Sequence, residues 1–290
     1  MKISLARFGR RILAFVTDMV MTLMLLLCVQ TLVAMPIAVS VCDYEESIER
    51  YSEIRRSSHL FETVDGKFTL ISKNYDENLT YFYEVYVGDS TEYNKAKMES
   101  GLFELKDGKY VERISATSTQ LKEFYEKELY DAELVLYNDD EVIELTSLIT
   151  SVTVWTLIGS LIFSLTIFFL VFPLCLKNGS TLGKMIFGYG LTNKQGYKVK
   201  YRQIILRFFV FLILEVLLSI FLLGIPLFVS FTMVAFSKYG TSLHDYFAYT
   251  VVADLKGVTV YVNEEELIED YKRIKGSKNF TIHDDRNITK

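Results

Sequence analysis

The sequence predicts an α-helical transmembrane bundle of about four crossings, with an inserted α+β extracytoplasmic domain and a small cytoplasmic β-hairpin/strand element. Three observations predict it. The chain has 290 residues, of which 50% are hydrophobic and 23% charged, and a mean hydropathy of +0.23. Its apolar excess is gathered into three blocks, residues 12–41, 148–176 and 204–236, each longer than the ~20 residues that cross a hydrocarbon core. The segments between the blocks differ sharply in charge. These features exclude a simple soluble enzyme. Three cysteines also exclude a secreted disulfide scaffold. Cys28 and Cys175 sit in apolar runs, where a thiol acts as a small hydrophobe.

The first block follows a basic flank (Lys2, Arg7, Arg10, Arg11), as a secretory signal does. However, its apolar run is far longer than the roughly 7–15 residues of a signal core, and Asp18 interrupts it. We read residues 1–41 as a cytoplasmic N-terminus and first transmembrane helix. Residues 177–207 carry seven Lys/Arg and no acid, whereas residues 42–147 carry 12 Lys/Arg against 25 Asp/Glu. The positive-inside bias puts the basic segments in the cytoplasm and 42–147 outside. The third block is too long for one straight crossing. Leu223-Gly224-Ile225-Pro226 interrupts it, and Gly with Pro favours a break. Residues 203–223 then cross and 226–240 return, which leaves the tail cytoplasmic. One long kinked helix, with the tail outside, is the alternative.

In the insert, 43–57 continues as a charged helix. Strand-like runs follow at 68–71, 80–87 and 109–114, with turn pairs Asp65-Gly66, Gly88-Asp89 and Asp107-Gly108. Residues 117–130 return to helical spacing. The dense tyrosines read as cover for a half-buried sheet, or as an aromatic partner surface. Past the second block, 189–199 reads as a hairpin turning at Asn193–Gly196. Thr250–Val252 and 258–262 read as short strands, and Glu264–Lys275 as a solvated helix before a polar end. The resulting domains are 1–41, 42–147, 148–253 (with a cytoplasmic hairpin, 177–202) and a cytoplasmic tail, 254–290.

Ionisable residues inside the apolar blocks are the functional candidates, because each is costly there and usually has a partner or a role. Asp18 reads as either a structural hydrogen-bonding post or an ion or proton site. Glu215, near the middle of the third block, reads as a titratable or inert buried acid. Arg11 lies on the Asp18 face, too far along the helix for a direct pair. Arg207 reads as snorkelling to the inner interface. His244-Asp245 reads as a proton-handling pair, or as a cap that docks the following strand. Hydroxyls of Thr153, Thr156, Ser160 and Ser164 share one helix face and read as packing contacts. Gly179 to Lys184 has the wrong spacing for a phosphate loop, and Met185 stands where a hydroxyl is needed. No catalytic motif, metal cluster or cofactor signature appears, so the sequence argues against an enzyme and for no cofactor, metal or nucleic acid.

Taken in order, Arg11 with Asp18, then Thr181-Leu182-Gly183-Lys184 with Gly188, the Gln195-Gly196 turn, Arg207, and Leu243-His244-Asp245 before Thr250 resemble the RDD family of bacterial membrane proteins. The likeness covers roughly 7–36 and 145–253 and departs from the family in the long insert 42–147. It implies a multi-pass plasma-membrane protein, for which transport, including cation/proton exchange, has been suggested. Arg11, Thr181, Gly183, Lys184, Gly188, Arg207 and Thr250 would be its motif residues, and Asp18, Glu215, His244 and Asp245 its ion- or proton-coupling candidates. The competing class is a membrane-anchored accessory protein whose acidic outer domain binds a partner. The expected partners are the bilayer, a second copy of the chain, and a protein at the outer domain.

Overall fold

The computed structural model describes residues 4–106 and 108–275. It is mostly helical. Three helices are long and apolar enough to cross a membrane: Phe8–Val41, Asp140–Cys175 and Tyr201–Phe221. A shorter apolar helix, Ile225–Phe236, follows the third. Seven short strands are present among the described residues: β1 (Ser4–Leu5), β2 (Phe61–Val64), β3 (Lys67–Leu70), β4 (Phe103–Lys106), β5 (Lys109–Glu112), β6 (Tyr189–Asn193) and β7 (Thr250–Asp254). The chain divides into two compact units, one running through Ala34 and resuming at Leu157, the other Met35–Thr156.

The second unit is built on the helices Tyr44–Ser57 and Ser118–Tyr137 with two hairpins, β2–β3 and β4–β5. The β2–β3 turn is Asp65-Gly66, as the sequence predicts. In the β4–β5 turn, Asp107 lies outside the described residues. The strand expected over 80–87 is not one. Residues Tyr75–Tyr81 are helical and continue through Phe82–Val87 with π-type hydrogen bonding. Packing overrides the β propensity of that aromatic run, because Leu79, Phe82 and Tyr83 recur at helical spacing and all enter the core. The tyrosines cover the hairpins only in part. Tyr125 packs edge-on to Phe103 of β4 and donates to Glu112 of β5, whereas Tyr83 and Tyr93 stack on each other in the core. Tyr93 donates to Asp76 at 3.0 Å, and burial pushes its phenol far above the usual range.

The first unit contains a three-stranded antiparallel sheet, β1-β7-β6. Of the hairpin expected over 189–199, the turn at Asn193–Gly196 forms, with Asn193 donating to the Tyr197 carbonyl at 2.9 Å, but pairing beyond it is limited to one bridge, Thr192 to Lys198. Residues 258–262 form no strand, although Lys198 donates its N–H to the Tyr261 carbonyl at 2.9 Å. The tail helix Glu264–Lys275 is present; the polar end beyond it lies outside the described residues.

The third apolar block breaks at residues 222–224, where Leu223 and Gly224 both take positive φ (48° and 84°). The chain reverses there. Ser230 returns to hydrogen-bond Glu215, fifteen residues earlier. A single kinked helix is thereby excluded, and 201–236 forms a helical hairpin.

An internal repeat organises this unit. The second long helix ends at Cys175 and the short apolar helix at Phe236. Six residues later Thr181 and Ser242 each cap a five-residue helix, Leu182–Ile186 and Leu243–Phe247, with a side-chain oxygen. Gly188 and Tyr249 then take positive φ (74° and 55°) and lead into β6 and β7, five residues each. Every one of these pairs is offset by 61 residues. The β6–β7 register centres on Leu191 opposite Val252, also 61 apart, so a local two-fold axis passes between them.

Candidate functional site

The site is assembled where the two repeats meet. The first long helix turns Ala14, Asp18, Thr22 and Leu26 inward at four-residue intervals. Asp18 is 1% exposed. Its Oδ1 accepts from the Gly183 backbone N–H at 2.7 Å, and its Oδ2 accepts from the Thr181 hydroxyl at 2.5 Å. The carboxylate thus satisfies donors at the start of the helix Leu182–Ile186, which a helix terminus otherwise leaves bare. Gly183 permits the approach. A Cβ there would overlap the Ala14 carbonyl and come within 2.9 Å of the Asp18 carboxylate.

Glu215 occupies the corresponding place in the second repeat. It is 2% exposed. Its Oε1 accepts from the His244 N–H at 2.9 Å and from the Ser230 hydroxyl at 2.9 Å. The backbone donors Gly183 and His244 are again 61 residues apart. The second repeat adds a feature the first lacks: His244 Nδ1 lies 2.8 Å from the same Glu215 oxygen. On the other edge of the ring, Nε2 lies 3.0 Å from Arg207 Nη2. A guanidinium only donates, so the tautomer protonated at Nδ1 satisfies both contacts.

Asp245 is fully buried and fully paired. Arg207 Nε lies 2.9 Å from one oxygen and Arg11 Nη2 lies 3.3 Å from the other. The Ser242 and Thr250 hydroxyls donate at 2.8 and 3.1 Å. Burial alone would raise its pKa, but the charges of Arg207 and Arg11, with their neighbours, hold it well below the usual carboxylate range. Arg11 also donates to the Gly240 carbonyl. Arg11 therefore does not serve Asp18, its neighbour two turns on, but an aspartate across the fold.

Arg207 does not snorkel to the interface. It is 9% exposed and turned inward, because two acceptors, Asp245 and His244, are fixed beside it. Thr250 anchors the first residue of β7 to Asp245, and Gly188 supplies the left-handed turn before β6. Of the hydroxyl face on the second long helix, Ser160 donates to Gln30 at 2.9 Å, and Ser164 is buried. Thr153 and Thr156 lie in the other unit, beside Tyr44 and Met35.

A cavity of about 40 Å³ lies at the centre. Asp18, Thr181 and Lys184 line it from the first repeat, and Arg207 and His244 from the second, with four phenylalanines closing it. Lys184 is half-buried here, and desolvation, reinforced by the charge of Arg207, pushes its pKa down to about 7. Asp18, Glu215, His244 and Asp245 are thus gathered into one region, although Asp18 and Glu215 make no direct contact. Among the described residues no cluster of His, Cys, Asp and Glu is arranged to hold a metal.

The model of the RDD family matches residues 133–249. The resemblance drawn from the motifs is borne out over that span, which includes Thr181 to Lys184, Arg207, Glu215 and His244-Asp245. Arg11 and Asp18 lie outside it. No curated protein and no solved structure matches the chain.

Proposed function

We propose that this RDD family membrane protein is a small carrier or cation/proton exchanger of the plasma membrane, with Glu215 and His244 as its proton-coupling candidates. One observation carries the reading. Of the three acids in the core, Asp18 is held by a backbone N–H and a hydroxyl, and Asp245 chiefly by two arginines. Neither kind of partner releases a proton at working pH. Glu215 is the one hydrogen-bonded to an imidazole, at 2.8 Å against 3.9 Å for Asp245, and an imidazole ordinarily titrates between pH 5 and 8. A second proton on that ring, at Nε2, would turn from Arg207, donor against donor, to the Ser242 hydroxyl oxygen 2.9 Å away, which already donates to Asp245. Proton binding would then exchange the Arg207 contact for one within the cap of the helix Leu243–Phe247 and be coupled to movement of that helix. Phe211, edge-on to the ring at 5.7 Å, would have to yield.

The interior beyond the pair stays polar. Thr22, Ser160, Ser164 and Ser219 are buried, and the Ser164 and Ser219 hydroxyls have no partner among the described residues. Such hydroxyls usually take water or an ion. In this reading Ile225–Phe236 is the fourth crossing, shortened to ~18 Å of helix by its position in the repeat. The termini and 177–202 are cytoplasmic, and 42–147 is outside. Four crossings make a small carrier, so two copies assemble. Asp18 becomes a post instead of a coupling acid.

Proteoliposomes test this. Glu215→Gln keeps acceptors for Ser230 and His244 and should fold, yet lose proton-coupled flux by tenfold or more. Wild-type flux in that variant overturns the carrier reading. A second reading, an accessory protein with a partner-binding outer domain, rests on a different feature. A groove of about 600 Å³ in the second unit is lined by Asp43, Glu46, Glu49, Glu53, Glu141 and Glu144 with Arg50 as its single cation. Replacing 43–145 by a short linker should abolish that function and spare the flux.

A further inference from the structure

The central cavity has a cation without a partner. Lys184 lines it, and no described residue accepts a hydrogen bond from its Nζ or forms an ion pair with it. Arg207 lines it too. Its Nε is close to Asp245 but makes no hydrogen bond, because the contact is poorly angled. The acids nearby are occupied. Both Asp18 oxygens accept from the first repeat, Glu215 Oε1 accepts from Ser230 and His244, and Asp245 is shared by two arginines and two hydroxyls. Two cations, Lys184 half-buried and Arg207 buried, therefore line a small space whose one lining carboxylate, Asp18, is already held by two donors.

We infer that this cavity binds one small monovalent anion of halide size between the Lys184 ammonium and the Arg207 guanidinium. The volume, about 40 Å³, exceeds the roughly 10–15 Å³ that one water needs and is far below the roughly 150 Å³ of a cavity that takes benzene, which suits a small inorganic ion better than an organic carboxylate. Phe15, Phe169, Phe208 and Phe211 wall it off. That suits a weakly hydrated ion, and phenyl edges carry the positive part of the ring quadrupole. Bound anion and Lys184 proton support each other, so the site fills below about pH 7 and empties as Lys184 deprotonates. His244, Asp18, Glu215, Asp245 and Arg11 are the other charged or titratable groups around it. All stay paired when the anion enters. The inference does not require flux: a carrier and a scaffold would both show it.

The test uses the full chain, purified in detergent, with thermal unfolding followed in sodium chloride against sodium gluconate at equal ionic strength. At pH 6 chloride should raise Tm saturably, by about 5 °C at a hundredfold excess over Kd. At pH 8.5 the difference should vanish. Lys184→Met should lack the chloride response at pH 6 as well. If that variant fails to fold, bromide supplies the second measurement: anomalous scattering from wild-type crystals should place it between Lys184 and Arg207. Equal Tm in chloride and gluconate at pH 6, an unchanged response in Lys184→Met, or no bromide in the cavity would overturn the site and leave it holding water only.

Discussion

Asp18→Asn separates a capping role from a coupling role. Asparagine is isosteric, and its carbonyl can keep the 2.7 Å bond from Gly183 N–H. Its amide must then face the Thr181 hydroxyl, which now donates to Asp18 at 2.5 Å and also receives the Lys184 N–H at 3.4 Å. Thr181 can accept from the new amide only by turning its own proton elsewhere in a buried site. Two charge-assisted bonds, each worth about 1.5–3 kcal/mol, become at best two neutral ones of about 0.5–1.5. The loss is about 2 kcal/mol, a Tm drop of roughly 4–8 °C for a chain of this size. The assay is thermal unfolding in detergent, paired with proton flux per folded molecule in liposomes. The expected result is lower Tm with flux within twofold of wild type. If Tm is unchanged and flux collapses, Asp18 is a coupling acid and the capping argument is wrong.

Further expectations follow from single positions. Gly183→Ala drives a Cβ into the Ala14 carbonyl and should cost about 1–3 kcal/mol by overpacking; combined with Asp18→Asn it should add less than the sum, since both act on one contact. Lys184 has a folded pKa near 7, below its ordinary 10.5. The unfolded chain therefore binds more protons between those values, and stability should rise with pH from about 7 to 10.5 and be flat below 7. Lys184→Met should flatten the Tm-versus-pH curve in that window. Leu223 holds a left-handed φ of 48° with its side chain 94% exposed. Leu223→Gly should raise stability by up to about 1 kcal/mol, read as a higher Tm.

The apolar blocks, the break before Pro226 and the Asp65-Gly66 hairpin were legible because each is a local signal: run length, a breaker, a turn pair. Asp18 was legible as a residue needing a partner, because a carboxylate in hydrocarbon is rarely left alone. Its partner was not, since Thr181 and Gly183 lie 163 and 165 residues away and nothing in spacing says which loop folds back. Arg207 was misread for the same reason. Snorkelling is the default for an arginine near a helix end, and only the return of His244-Asp245 through a distant hairpin supplies the acceptors that reverse it. Residues 80–87 were misread because β-branched and aromatic residues suit a strand until a core claims them at helical spacing. The repeat did leave a faint trace: Thr181-Leu182 and Ser242-Leu243 are hydroxyl-Leu pairs 61 residues apart. A two-residue likeness carries no weight until the caps, turns and strands around it coincide.

The repeat also sorts the site. What the two halves share is structural: a hydroxyl cap, a carboxylate on a backbone N–H, a left-handed turn and a five-residue strand. Any function peculiar to the core has to come from the positions where the halves differ. Two such positions stand out. Gly183 in the first half corresponds to His244 in the second, so only the second carboxylate meets an imidazole. Lys184 corresponds to Asp245, so a half-buried ammonium without a hydrogen-bonding partner stands opposite a buried acid with three, and with Arg207 as an ion pair besides. Both departures from symmetry open onto the same region, beside the axis that relates the strands. A purely structural duplication would gain nothing by drawing a histidine and a lysine in there, because glycine and a neutral side chain would cap and pack at lower desolvation cost. In the proposed carrier it is therefore the asymmetric pair, and not the conspicuous first-helix aspartate, that is expected to carry the chemistry.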